Sequence, residues 1–105
     1  MTVGERARRI GENEALWRRI NELAPPVPGV MNSVFCECGV AGCEAKVSVT
    51  AMEYEDVRRA STTFIVCPGH ELPEAEVVVK ANDRFVVVEK QGEAAAVAQR
   101  TDPRE

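Results

Sequence analysis

Residues 35–43 read FCECGVAGC and residues 67–70 read CPGH. These two segments hold all four cysteines of the chain, Cys36, Cys38, Cys43 and Cys67, and its single histidine, His70. Zinc takes four tetrahedral nitrogen or sulfur ligands, typically from one tight knuckle and a second segment far along the chain. A Cys-x-Cys-Gly-x3-Cys knuckle followed by a distant Cys-Pro-Gly-His meets that requirement. Two disulfides are the competing reading, and they belong to an oxidising compartment. The chain opens without a basic segment leading into an apolar run, so the expectation is a cytoplasmic protein with reduced thiols and a bound metal. Five donors for four positions leave two closed sets, in which Cys36, Cys38 and Cys43 are joined by His70 or by Cys67. His70 follows a Pro-Gly corner that frees it to turn inward, whereas Cys67 ends an apolar strand where a small buried thiol is at home. On the residues alone, the expected metal ligands are Cys36, Cys38, Cys43 and His70, and the expected cofactor is Zn.

Three thiolates donate much charge and leave the metal a weak Lewis acid, so a closed structural site is expected rather than one with an open water position. Glu37, Glu44 and Glu71 are the neighbouring acids that a hydrolytic site would draw on. The spacings do not follow ferredoxin patterns, which sets iron–sulfur chemistry aside as a minor alternative.

Upstream of the knuckle, residues 5–24 place Ile10, Leu16, Trp17, Ile20, Leu23 and Ala24 at three- and four-residue intervals, which predicts an amphipathic helix buried through those side chains. Pro25-Pro26-Val27-Pro28-Gly29 ends it, because proline lacks the backbone donor. Downstream, residues 45–50 alternate as a strand. Thr50 and Glu53 then have capping-box spacing ahead of a helix over 51–60, with Met52, Tyr54 and Val57 expected inward. Residues 62–67 (TTFIVC) read as a strand that delivers His70. Residues 76–81 and 84–90 are Val-rich strands about an Asn82-Asp83 turn, and their unbroken apolar runs imply cover on both faces of part of the hairpin. Residues 93–99 form a short Ala-rich helix. The expected fold class is α+β, with an N-terminal helix, a zinc knuckle, a small mainly antiparallel sheet and a central capped helix. Residues 1–29 are the helix and Pro-rich linker, 30–100 the metal-binding body and 101–105 a frayed tail.

With 105 residues, one domain is expected, small enough that a bound metal is a useful source of stability. The net charge of −4 argues against bulk binding of nucleic acid and against a polybasic membrane anchor. The first 24 residues carry five arginines against four glutamates, which fits a solvated helix face of mixed charge. No phosphate-binding glycine loop or nucleophile elbow is present in the sequence.

Phe35-Cys36-Glu37-Cys38-Gly39, Cys43, Thr50, Glu53-Tyr54, Val57-Arg58, Phe64, Pro68-Gly69-His70 and Val87-Val88-Glu89-Lys90 together resemble an uncharacterised family of small, mostly actinobacterial proteins. Asn13-Glu14-Ala15-Leu16, Asn21-Glu22 and the closing Thr101-Asp102-Pro103-Arg104 extend the resemblance over nearly the whole chain. It implies that the position of Cys67 is commonly small and apolar while Pro-Gly-His is kept, which supports His70 as fourth ligand. It implies a stand-alone zinc protein and no named substrate. The function expected from these readings is a structural Cys3His module that binds a protein partner or regulates one. The alternatives are a thiol redox switch using Cys67 and, through the N-terminal arginines, a nucleic-acid-binding zinc protein.

Overall fold

The computed structural model describes residues 2–104. Helix α1 (Val3–Leu23) begins where the Thr2 hydroxyl accepts from the amide of Glu5, and it ends just before Pro25-Pro26. Strand β1 (Asn32–Phe35) pairs antiparallel with β2 (Lys46–Val49), with Val34 opposite Val47. Helix α2 (Ala51–Val57) carries the expected capping box: the Thr50 hydroxyl accepts from the Glu53 amide at 3.1 Å and the Glu53 carboxylate accepts from the Thr50 amide at 2.9 Å. Strands β3 (Thr63–Val66), β4 (Glu76–Ala81) and β5 (Val86–Lys90) form a second antiparallel sheet in the order β3-β5-β4, and α3 (Gly92–Arg100) follows. The fold is α+β, and its strands fall into two sheets rather than one.

The continuous apolar runs of β3 and β5 are explained by cover on both sides of the second sheet. One face, through Ile65 and Val87, packs with Val34, Val47 and Val49 of the first sheet and Tyr54 and Val57 of α2. The other, through Phe64, Val66, Val86 and Val88, packs against Cys36, Cys38 and Ala98. The edge strand β4 does not share this cover, and Val77, Val78 and Val79 are exposed. The hairpin turn also differs from expectation. The Asn82 amide donates to the Phe85 carbonyl, and the Asn82 side chain accepts from the amides of Arg84 and Phe85, so Asp83 and Arg84 form the tip.

Three further expectations are corrected. The buried face of α1 is largely polar. Glu14, Arg18 and Asn21 are buried alongside Ile10 and Ala15, whereas Leu16 is half-exposed and Leu23 is 80 % exposed. Met52 points outward at 84 % exposure while Tyr54 and Val57 are buried, because α2 has only two turns and its packed side is set by its neighbours β2 and β3. The end of the chain is tied down rather than frayed. Asp102 accepts from the buried Arg58 at 2.6 Å, and Arg104 pairs with Glu22 and Glu55. Of the expected tail, Glu105 lies outside the described residues. Helix α1 packs along α3 and against β1, so it shares the core of the body that follows it. No described helix is long and apolar enough to cross a membrane.

Candidate metal centre

The knuckle begins where β1 runs out. Cys36 continues the ladder by donating its amide to the Ala45 carbonyl at 2.8 Å, and the Cys43 amide donates to the Val40 carbonyl at 3.2 Å. Gly39 lets this loop lie directly on α1. A Cβ there would meet Ile10 Cγ2 at 2.4 Å, and Asn13 Nδ2 donates to the Gly39 carbonyl at 3.2 Å. The fourth donor arrives from β3 through Cys67-Pro68-Gly69-His70. The His70 amide closes this turn on the Cys67 carbonyl at 3.0 Å, and Gly69 at φ +89° supplies the left-handed position that a type II turn needs after proline.

These elements bring Cys36, Cys38, Cys43 and His70 together, with one donor atom from each all lying within 4.8 Å of one another. His70 Nδ1 stands 3.6 Å from the sulfurs of both Cys36 and Cys43. A tetrahedron with metal–sulfur bonds of about 2.3 Å and metal–nitrogen bonds of about 2.05 Å has sulfur–nitrogen edges of about 3.6 Å. The four residues therefore form a group that can hold a metal ion. Cys36 and Cys38 are buried, Cys43 and His70 are half-buried, and all four cysteines are free thiols. A hydrogen bond with Cys36 and then burial push the Cys38 thiol up to about 12. A cation bound there takes Cys38 as thiolate and displaces its proton.

Cys67 stands outside the group but against it. Its amide donates to Cys36 Sγ at 3.1 Å, while its own thiol faces the Lys46 carbonyl at 3.6 Å. Burial pushes the Cys67 thiol up, and its hydrogen bond with Cys36 opposes that.

Glu37, between two cysteines of the group, is fully buried and turned away from it. Its Oε1 accepts from the Ile65 amide at 3.1 Å and its Oε2 from Asn21 Nδ2 at 2.8 Å, while its own amide donates to the Ile65 carbonyl at 2.8 Å. Burial raises it to about 7 despite these donors. Asn21 also donates to the Phe35 carbonyl and accepts from the Phe35 amide, which fixes α1 to the end of β1. Beneath Cys38, Lys90 is buried between Glu14 and Glu76, with 2.5 Å to the nearer Glu14 oxygen. Burial lifts Glu14 to about 7 against the pull of Lys90, and lowers Lys90 itself. Glu44 and Glu71 do not join the cysteine–histidine group.

The supporting roles of Asn13, Asn21, Glu14 and Arg18 are absent from a reading based on apolar spacing. Their signal is the series Glu14, Arg18, Asn21, polar residues at helical intervals on one face. Fold and site together define an α+β domain organised around a Cys3His group able to bind metal. In comparison with known proteins, no family model, no curated protein and no solved structure matches the chain.

Proposed function

We propose that this chain is a small zinc-binding protein in which Cys36, Cys38, Cys43 and His70 hold a structural Zn2+, and that it acts as a protein-interaction or regulatory module. The observation that carries the reading is the convergence of those four donors within 4.8 Å, from a knuckle after β1 and a turn after β3. Three sulfurs and one imidazole suit zinc and close its tetrahedron. Glu37, the acid between two of the cysteines, is spent on Ile65 and Asn21, and Glu44 and Glu71 do not join the group, which favours a structural over a hydrolytic role. The interaction role draws support from an exposed apolar groove in which Val30 and Met31 face Met52. Membership of the actinobacterial Cys-x-Cys-Gly-x3-Cys … Pro-Gly-His family belongs to the same proposal.

Elemental analysis of the purified, reduced protein tests the metal. The expected result is one zinc per chain, retained in Cys67→Ala and lost in His70→Ala and Cys38→Ser. A folded, reduced protein that neither carries nor takes up zinc overturns the reading, as does iron in zinc's place.

A further inference from the structure

We propose that Cys67 is an oxidation site that controls the metal: a peroxide links it to Cys36 as a disulfide and so removes one sulfur from the ligand group. The inference rests on the zinc reading above and adds its regulation. Cys67 is the one cysteine outside the Cys3His group, yet its amide nitrogen is 3.1 Å from Cys36 Sγ. With an N–Cα bond of about 1.46 Å, the Cys67 Cα lies within about 4.6 Å of that sulfur. In a disulfide, with its S–S bond of about 2.05 Å, the far sulfur sits about 4 Å from Cα, so bond formation asks for side-chain rotation and little backbone movement. Cys67 packs against the hydrophobic clusters on both faces of the second sheet and is only partly buried, whereas Cys36 is 1 % exposed. Of these two sulfurs, Cys67 is the one oxidant reaches first.

The chemistry balances with hydrogen peroxide as the two-electron oxidant. The Cys67 thiol gives up its proton as its sulfur attacks one peroxide oxygen, the O–O bond breaks, the leaving hydroxide takes that proton to become water, and a sulfenic acid forms. The Cys36 sulfur leaves the metal and attacks the sulfenic sulfur. The S–S bond forms, the S–O bond breaks, and the oxygen departs as hydroxide that takes a proton to become water. Each sulfur has given up one electron. The metal keeps Cys38, Cys43 and His70, one donor short of a closed structural site.

The test uses zinc-loaded wild type, Cys67→Ala and Cys67→Ser, treated with hydrogen peroxide in the presence of a chromogenic zinc chelator and then mapped by peptide mass spectrometry. All three are expected to hold one zinc beforehand. The wild type is expected to release it with a Cys36–Cys67 disulfide, and both variants about tenfold more slowly. Equal release from wild type and variants, or disulfides confined to Cys36, Cys38 and Cys43, overturns the switch and leaves the metal site standing. Absence of zinc before treatment overturns the metal reading, and the switch with it.

Discussion

Glu37 takes the place of a neighbouring strand for Ile65: its carboxylate accepts from the Ile65 amide at 3.1 Å while its own amide donates to the Ile65 carbonyl at 2.8 Å. One residue between Cys36 and Cys38 thus seals the open edge of β3 and aims both thiols the same way. Glu37→Ala leaves the Ile65 amide buried without an acceptor and removes one of two acceptors from Asn21. Each unsatisfied buried donor costs about 1–3 kcal/mol, so the expected loss is about 3 kcal/mol in urea unfolding at saturating zinc. Glu37→Gln keeps one acceptor and is expected to lose less than Glu37→Ala. Equal losses in the two variants would contradict this role.

Metal removal is expected to destabilise the whole domain, since the two ligand-bearing segments belong to different sheets. Apparent zinc affinities in small zinc domains run to about 10–16 kcal/mol, and part of that is folding free energy. Even about 3 kcal/mol corresponds to about 12–24 °C in a domain of this length. Thermal unfolding followed by circular dichroism should show such a fall with chelator and recovery on adding zinc. Coincident curves with and without chelator count against a structural ion.

Gly39 is where the knuckle touches α1, and a methyl group has no room there because Ile10 Cγ2 would stand at 2.4 Å. Gly39→Ala is expected to cost about 1–3 kcal/mol and to weaken zinc binding, the overpacking penalty of a filled core. In an Ile10→Ala background the same change should cost less. A double-mutant cycle by urea unfolding reads the coupling, and strict additivity would show that the contact carries no strain.

The sequence made the short elements readable where local chemistry decides them. Thr50 and Glu53 cap α2 as their spacing requires, and the Pro-Gly corner presents His70 to the cysteines. It misdirected the reading of α1, because apolar spacing selects Leu16 and Leu23 while the buried side is held by Glu14, Arg18 and Asn21, whose partners lie in distant segments. Arg18 donates to the carbonyls of Ser61 and Ala98 and lies 4.3 Å from the centre of the Phe64 ring. No periodicity encodes such pairings. Arg18→Leu should therefore cost about 2–4 kcal/mol, since it strips the donors from two carbonyls. Leu23→Lys, at a position 80 % exposed, should stay within about 0.5 kcal/mol. Chemical unfolding of the pair checks this, and the reverse ranking would mean that α1 sits on its apolar side.

The acid side of the stability profile is expected to carry the mark of Glu53. Arg84, first, and then the Thr50 cap hold its carboxyl at about 2, below the ordinary 4.5. The Arg84 guanidinium donates to Glu53 at 2.6 Å and also to the Ser48 carbonyl, so it ties the β4–β5 turn to the start of α2 and to β2. The unfolded chain takes up this proton near 4.5 and the folded chain only near 2. As pH falls through that window the unfolded state binds more protons, and the stabilisation is lost; above it the contribution is complete. Glu53→Gln has no proton to take up, so its stability deficit against wild type should be full at about pH 7 and shrink steadily below about pH 4.5. Metal loss in acid affects both proteins alike and cancels in the difference. Urea unfolding of the two proteins across that range provides the measurement, and a deficit that stays constant down to about pH 3 would show that the Arg84 pair does not hold the carboxylate.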